Sequence, residues 1–354
     1  MTHQLTSETI RSRRETLAAE VVARQYALAP ERWAAYGVEG RQKSLRDARY
    51  HLDYLAEAIE AQDESLFLDY VGWARTLFSK LNLGNDALAE TLRSVLDALS
   101  SSLPPAEAAT THPYLAGALA LLQRPASIPP TFIRADAPLA SLAQSYLESL
   151  LSSDRRQAST LILQAAGNGA ALQDIYLHVF QPAQRELGRL WQLGEIGVAQ
   201  EHLATAITQF TMSELYPRIF AAERCGKSLL AACVGDELHE LGIRMVADFF
   251  EMQGWDTYYL GANTPSDAIV SAVRRHRPDV LALSVTMTFH VRTAAGLVAE
   301  LRAQPDHGRM PVLVGGYPFN ISPRLWQHVG ADAMAPDAHQ AVDAAHRLVS
   351  QNPQ

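Results

Sequence analysis

The sequence predicts a multidomain chain of the α plus α/β class, with an all-helical N-terminal domain, a four-helix bundle and a doubly wound parallel sheet. Apolar residues recur at spacings of three and four through residues 1–222, which is the period of helices that bury one face. After Gly226 and Lys227, short β-favouring runs alternate with helical patterns, which is typical of βαβ units. A length of 354 residues also suggests two or three domains.

The first predicted domain, residues 1–125, consists of successive helices. Apolar stripes at helical spacing define three of them: Leu45, Ala48, Leu52, Leu55 and Ile59; Leu66, Tyr70, Trp73 and Leu77; Leu88, Leu92, Val95, Leu96 and Leu99. Pro104 and Pro105 end the third helix, because proline removes a backbone donor and clashes with the preceding turn. A short helix is expected near residues 114–122.

A proline-rich linker over residues 126–136 is expected to be extended and stiff. The next domain, residues 137–222, contains four candidate helices separated by short polar breaks, which predicts an antiparallel bundle. The candidate helices cover residues 139–152, 155–167, 172–193 and 198–220.

Residues 227–350 form the predicted α/β domain. The candidate strands are 228–234, 256–260, 280–285, 312–314 and 331–335, and the candidate helices are 238–252, 265–276, 289–303, 322–329 and 338–350. Five parallel strands with alternating helices fit a flavodoxin-like sheet, in which ligands bind at the carboxyl ends of the strands.

The composition excludes several classes of protein. A net charge of −8 and a pI near 5.8 argue against a nucleic-acid partner, which requires a basic face. The two cysteines, Cys225 and Cys233, suggest core residues in a reducing compartment. Without a leader or an apolar run of membrane-spanning length, we expect a soluble, cytoplasmic protein with no membrane contact.

The loop after the first strand carries Glu237, His239 and Gly242. An imidazole can donate one ring nitrogen to a metal while a carboxylate accepts the proton of the other nitrogen, which fixes the tautomer. Gly242 allows another group to approach the backbone closely. The alternative is an ordinary first turn of a helix with a solvated histidine.

Small or polar residues also follow the next three strands. Asn263 follows the second, Ser284 and Thr286 end the third, and Gly315 and Gly316 follow the fourth. Hydroxyl groups there can bond a polar ligand, and the glycines leave an opening where a large group can lie against the backbone.

In combination, these residues resemble the cobalamin-binding domain family, whose pattern is Asp-x-His-x-x-Gly, then Ser-x-Leu, then Gly-Gly. The resemblance covers residues 227–350 and implies that His239 replaces the nucleotide base as lower cobalt ligand. It also implies that the nucleotide tail passes Ser284 and the two glycines. Glu237 stands for the aspartate and Thr286 for the leucine of the pattern.

Trp191 lies nine residues before the Glu201-His202 pair in the predicted bundle. Alone, this pattern would indicate a core tryptophan and a solvated helix start. Next to a cobalamin domain it resembles the cap of the CarH and LitR group of adenosylcobalamin photoreceptors, where the tryptophan covers the upper cobalt face and the pair lines the adenosyl pocket. Gln192 stands where CarH uses a histidine as upper ligand after illumination, which leaves His202 or water for that role.

The N-terminal domain offers a possible second pocket at His51, Tyr50 and Tyr54. The alternative is that His51 is a core-edge residue with its hydrogen bonds satisfied. Helical units fused before this kind of cap resemble photocobilins, which add biliverdin to cobalamin. Because this domain has no cysteine, such a bilin would bind without a covalent tether.

These features together predict a non-enzymatic light sensor that binds adenosylcobalamin base-off and His-on. Light would cleave the cobalt–carbon bond and alter contacts within a homo-oligomer or with an unknown downstream signalling protein. The alternative is a corrinoid carrier protein for a methyltransferase system, and a third possibility is cobalamin storage.

Overall fold

The computed structural model describes residues 2–81, 83–125, 127–304 and 309–351. The chain contains two compact units, Met1–Ile128 and Pro129–Gln354. Ala126, part of the predicted linker, lies outside the described residues. The described helices include none that is long and apolar enough to cross a membrane.

The first unit is all-helical, as predicted. Its described helices are α1 (Thr2–Ser12), α2 (Arg14–Leu28), α3 (Pro30–Ala34), α4 (Gly37–Ala61), α5 (Glu64–Lys80), α6 (Gly84–Ser102) and α7 (Pro105–Gln123). The predicted apolar stripes supply much of the core, since Leu52, Leu55 and Ile59 are completely buried.

Helix α7 is longer than the helix expected at residues 114–122. It begins at Pro105 and contains Pro113. A proline at the start of a helix is compatible with it, because the first N–H groups have no intrahelical partner. Pro113 does remove an internal bond, and the burial of the neighbouring Tyr114 and Leu115 stabilises the helix around it.

The second unit begins with the predicted bundle. Its elements are α8 (Ala140–Leu151), α9 (Arg155–Gly167), α10 (Leu172–Ile175), a π-helical turn (Tyr176–Phe180), α11 (Gln181–Leu193), α12 (Val198–Glu214) and the short α13 (Tyr216–Ile219). The helix expected at 172–193 therefore contains one wider turn, and π turns of this kind are frequent at functional sites. The helix expected at 198–220 ends at Glu214 and is followed by α13.

The α/β half follows directly. Its strands are β1 (Ser228–Cys233), β2 (Asp256–Gly261), β3 (Val280–Ser284), β4 (Val312–Gly315) and β5 (Ala333–Ala335). Its helices are α14 (Leu241–Met252), α15 (Ser266–His276), α16 (Val291–Arg302), α17 (Tyr317–Ile321), α18 (Leu325–Val329) and α19 (Ala338–Gln351), with a 3₁₀ turn at Thr288–His290 before α16.

The strands are parallel and have the order β2-β1-β3-β4-β5, which confirms the flavodoxin-like prediction. In this order β2 is added on one side of β1 and β3 to β5 on the other, so the strand order reverses between β1 and β3. A crevice is expected there at the carboxyl ends of the strands. The loops that follow these two strands are therefore neighbours.

The bundle and the α/β half share one apolar core. The ring of Tyr176, on the π-helical turn, packs edge-on against Phe249 of α14 with centroids 5.9 Å apart. Its hydroxyl donates a 2.8 Å hydrogen bond to the buried carboxylate of Asp248. The bundle is thus held against the helix that begins just after His239.

Candidate functional site

Glu237 is the centre of the hydrogen bonding at the crevice. Its side chain is completely buried and accepts five hydrogen bonds. Oε1 accepts from the His239 backbone N–H at 3.1 Å and from the His239 ring Nδ1 at 2.5 Å. Oε2 accepts from the backbone N–H groups of Thr286 and Met287, each at 2.8 Å, and from His290 Nδ1 at 3.1 Å.

These bonds keep the Glu237 carboxylate ionised. Burial by itself raises the pKa of this carboxyl, but the hydrogen bonds from His239, His290 and the Met287 backbone outweigh it and place the pKa well below its ordinary value. The same carboxylate raises the pKa of His239, mainly through the hydrogen bond to Nδ1. The carboxylate of Glu201, from the bundle, adds a smaller effect in the same direction.

Because an ionised carboxylate only accepts hydrogen bonds, Nδ1 of His239 carries the proton and Nε2 remains as the possible metal ligand. The side chain is 59% exposed, so this nitrogen is accessible to a large group. Within the described residues, no cluster of three or more histidine, cysteine or acidic side chains could hold a metal ion.

Asn263 braces the loop from the neighbouring strand end. Its side-chain oxygen accepts a 2.7 Å bond from the Asp236 N–H, and its own N–H donates to the Glu237 carbonyl at 2.8 Å. Both Asp236 and Asn263 have positive φ, which these short polar residues tolerate better than most. Asn263 contacts the loop, and it is not among the residues that line the cavity beside it.

A cavity of about 300 Å³ lies between the bundle, α14 and the strand ends. Five residues predicted from the sequence line it: Gly242, Ser284, Thr286, Gly315 and Gly316. Residues that the sequence did not indicate complete the wall, chiefly Tyr176, Leu177, Gln181, Gln184 and Arg185 from the bundle, Met245, Val246 and Phe249 from α14, and Ala338 and Ala341 from α19. The wall is mostly apolar and suits a flat or slender group with a few polar atoms.

The three glycines of the cavity wall differ in the space around them. A Cβ on Gly316, at φ +112°, would lie 1.9 Å from the Val285 carbonyl oxygen, so this position requires glycine. A Cβ on Gly315 would lie 3.1 Å from the Ala335 oxygen. A Cβ on Gly242 would meet no protein atom within 4 Å. Gly242 therefore leaves space in the wall of the cavity that a bound group can use.

The predicted residues of the bundle lie on α11 and α12. Trp191 is partly buried against the shared core. The His202 ring Nδ1 is 2.5 Å from Glu201 Oε2, and Thr205 donates to Glu201 Oε1 at 3.0 Å. The His202 side chain is 75% exposed, whereas Gln192 is buried. The pair thus presents a polar, accessible edge, and Glu201 lies near enough to influence His239.

His290 is the main site residue that sequence reasoning missed. It lies six residues after β3, beyond the strand end that the prediction considered. Its ring is 12% exposed and shares the carboxylate of Glu237 with His239. A histidine shortly after a ligand-binding strand end was the available signal.

In the first unit, His51 is a core residue. It is 1% exposed, and its Nδ1 is 2.9 Å from the hydroxyl of Tyr70. Tyr54 stacks on Tyr70 with ring centroids 3.8 Å apart, while Tyr50 is 39% exposed. Burial lowers the pKa of His51 to about 4, so its ring is neutral at physiological pH.

Two protein-family models match the second unit of the chain. Residues 227–346 match a family model described as B12 binding domain, and residues 142–216 match a second model with the same description. The α/β half and the bundle in front of it thus each match a B12 binding domain model.

Individual relatives fall into two groups. The chain is 34% identical over 136 residues to the HTH-type transcriptional repressor CarA of Myxococcus xanthus, covering 38% of this chain and 44% of the repressor. It is 23% identical over 196 residues to the monomethylamine corrinoid protein 1 of Methanosarcina acetivorans, covering 53% of this chain and 88% of that protein. These relatives are a repressor and a corrinoid protein, in agreement with the prediction that the chain is not an enzyme.

The fold is also similar to a solved structure. The monomethylamine corrinoid protein of Methanosarcina barkeri superposes with a TM-score of 0.53 at 19% identity, covering 60% of this chain and all of that one. At this identity the likeness supports the fold alone. The chain spans less than half the length of the CarA repressor that it matches.

Proposed function

We propose that this chain is a cobalamin-dependent light sensor and regulator that binds adenosylcobalamin base-off, with His239 as the lower cobalt ligand. The observation that carries the proposal is the buried Glu237 that holds the accessible imidazole of His239 in one tautomer, with Glu201 of the bundle nearby. A ligand histidine oriented by a carboxylate is a common arrangement at metal sites.

The cavity is the proposed site for the displaced nucleotide tail of the cofactor. Its size and apolar wall fit a planar base, and the hydroxyls of Ser284 and Thr286 can bond polar atoms of the tail. Gly242, Gly315 and Gly316 keep the entrance and the wall free of side chains. Asn263 contributes by holding the Glu237 loop.

Trp191, Glu201 and His202 are proposed to face the upper side of the cofactor. Adenosylcobalamin supplies a weak cobalt–carbon bond that absorbs visible light, and the protein supplies orientation and readout. Loss of the adenosyl group would remove contacts with these residues and bias the bundle toward a second arrangement. The proposed output is a changed homo-oligomer or a changed contact with a downstream signalling protein.

The test is the visible spectrum of the protein reconstituted with adenosylcobalamin, in the dark and after green light, with sizing chromatography of both samples. A light-driven spectral change together with a shifted elution volume supports the sensor. His239→Ala should lose the His-on spectrum, while the exposed His328→Ala should retain it. Failure to retain cobalamin would contradict the proposal as a whole.

A corrinoid methyl carrier is the second candidate, because the monomethylamine corrinoid protein 1 of Methanosarcina acetivorans is matched over 88% of its length. The upper-face residues distinguish the two functions. If the protein is an adenosyl sensor, Trp191→Ala should weaken binding of adenosylcobalamin much more than binding of methylcobalamin. Equal weakening of both, with no light-dependent change in assembly, would favour the carrier.

Biliverdin is proposed as a second chromophore in the first unit, bound without a thioether because Cys225 is the first cysteine of the chain. The supporting features are the exposed aromatic edge of Tyr50 and Trp73, the stacked Tyr54, and Nε2 of His51, which is buried without a hydrogen-bond partner among the described residues. Addition of biliverdin to the purified protein should produce a shifted, protein-bound absorption band. Tyr54→Ala should weaken it.

A further inference from the structure

His290 belongs to the hydrogen-bond system of the proposed lower ligand although it lies 53 residues away from Glu237 in the chain. It ends the 3₁₀ turn that follows β3, and its ring is largely buried at 12% exposure. Its Nδ1 lies 3.1 Å from Oε2 of Glu237. Because the ionised carboxylate only accepts, this nitrogen must carry a proton and donate it.

The two oxygens of Glu237 serve different loops. Among the described residues, Oε1 accepts from His239 alone, in the loop after β1. Oε2 accepts from Thr286, Met287 and His290, all in the loop after β3. The Glu237 carboxylate therefore connects the loops after β1 and β3, between which the strand order reverses. An aspartate is one methylene shorter, so Glu237→Asp is expected to weaken the bonds to at least one of the two loops.

We propose that His290 is a positioning residue for the lower cobalt ligand, which it orients through the carboxylate of Glu237. This inference rests on the proposed function, in which His239 binds cobalt. His290 does not touch the cofactor in this role. Together with the two backbone N–H groups it fixes Oε2, so that Oε1 can hold the ring of His239 in one orientation.

The arrangement also links the lower ligand to the tail cavity. Thr286 donates its backbone N–H to Glu237 and contributes to the cavity wall. An occupant of the cavity that displaces the loop after β3 therefore changes the support of Glu237, and the effect passes to His239. The glutamate at position 237 and the histidine at position 290 form one functional pair.

The experiment compares His290→Phe with His290→Asn in the full-length protein loaded with cobalamin and reduced to Co(II). Asparagine can place an N–H near the position of Nδ1, whereas phenylalanine keeps the bulk and removes the donor. Electron paramagnetic resonance reports an axial nitrogen ligand through its nuclear splitting. We expect His290→Phe to lose most of this splitting and to bind cobalamin about 10- to 100-fold more weakly, as is typical when a ligand-orienting group is removed.

His290→Asn should keep the nitrogen splitting and near-normal affinity, and the exposed His328→Phe serves as the matched control. A second measurement does not depend on the folding of His290→Phe. Glu237→Asp should weaken the nitrogen signal. Adding the donor-free His290→Leu to it should cause little further loss, although His290→Leu alone should weaken the signal, because both residues act through one carboxylate. Full retention of splitting and affinity in His290→Phe, or independent losses in the double variant, would overturn the proposal.

His239→Ala distinguishes the lower-ligand assignment of His239 from the positioning role of His290. If it abolishes the nitrogen splitting while His290→Phe preserves it, the lower-ligand assignment stands and the positioning role fails. If the unmodified protein shows no splitting that depends on His239, both the lower-ligand assignment and the role of His290 are overturned.

Discussion

At the scale of single residues, the shape of the cavity depends on glycines, which have no side chain. Gly316 has a backbone conformation that side chains rarely adopt, and it lies directly against the Val285 carbonyl. Gly242, near the start of α14, has an ordinary helical conformation and faces open space. Alanine at these two positions should therefore have different effects on the free energy of unfolding.

Gly316→Ala should destabilise the protein by about 2 to 5 kcal/mol, because backbone strain and overpacking both contribute. Gly242→Ala should leave stability unchanged or raise it by up to about 1 kcal/mol, since alanine is the better helix residue. It should still weaken cobalamin binding. Urea denaturation of the free protein and spectroscopic titration with cobalamin measure both effects, and a stable Gly316→Ala would contradict the steric argument.

The most local patterns were the most predictable. Glu237 and His239 are two residues apart, and their hydrogen bond was expected from that spacing. The packing of Gln192 was not predictable, since its burial depends on how α11 meets its neighbours. The sharing of Glu237 with His290 also depends on the order of strands in the sheet, which brings the loops after β1 and β3 together.

At the scale of elements, the bundle is joined to α14 by a buried polar contact. Tyr176 donates to Asp248, which is 3% exposed, and burial raises the pKa of this carboxyl to about 6. The aromatic ring of Tyr216 and the guanidinium of Arg244 lie in the same contact, with the Arg244 carbon 5.6 Å from the ring centroid. Ionisation of Asp248 is thus unfavourable where the two halves of the unit meet.

Asp248→Asn should raise the free energy of unfolding at pH 7 by up to about 3 kcal/mol and remove a pH dependence. The folded-state pKa, about 6, is higher than the value near 4 of an unfolded aspartate, so the folded protein binds more protons between these pH values. The unmodified protein should therefore lose stability as pH rises from about 4 to about 6. Urea denaturation across this range is the measurement, and an equal slope in both proteins would exclude Asp248 as its source.

The start of the second unit is also tied to the bundle. Part of the predicted linker is docked on the bundle: the Phe132 N–H donates to the buried Glu186 at 2.9 Å, and Arg189 donates to the Pro129 carbonyl at 3.4 Å. Contrary to the prediction, the linker is not extended throughout, because a turn is closed by the Ala137 N–H and the Arg134 carbonyl. Arg189 and Glu186 are themselves paired on α11 at 2.6 Å. This places the linker attachment on the helix that carries Trp191.

Glu186→Ala should release the segment around Phe132, because it removes the acceptor of the Phe132 N–H and the carboxylate that pairs with Arg189. A loss of about 3 to 5 kcal/mol is expected for breaking a buried ion pair. Limited proteolysis should cut near residues 129–134 faster than in the unmodified protein. The exposed pair on the same segment offers a control, since Asp136→Ala should change the cleavage rate little.

At the scale of the whole molecule, the chain is built from two compact units that carry different features. Both B12-binding matches, at residues 142–216 and 227–346, lie in the second unit. The residues proposed for a bilin all lie in the first unit. The cofactors of the proposed sensor would thus belong to separate folding units.

Residues 129–354, produced alone, should fold and bind cobalamin with the affinity of the full chain. Residues 1–128 should fold as helices and bind no cobalamin. Circular dichroism and spectroscopic titration of both fragments provide the measurements. Loss of cobalamin binding by the larger fragment would show that the helical N-terminal unit contributes to the site.

The sequence by itself determined the class of fold, the alternation of strands and helices, and the strand ends that border the cavity. These depend on the spacing of apolar residues along the chain and on short motifs, both of which are local. Only the tertiary structure decided that His290 supports Glu237, that Tyr176 meets Asp248, and that His51 is buried. Such contacts join residues distant in sequence, and strand order and helix packing determine which of them meet.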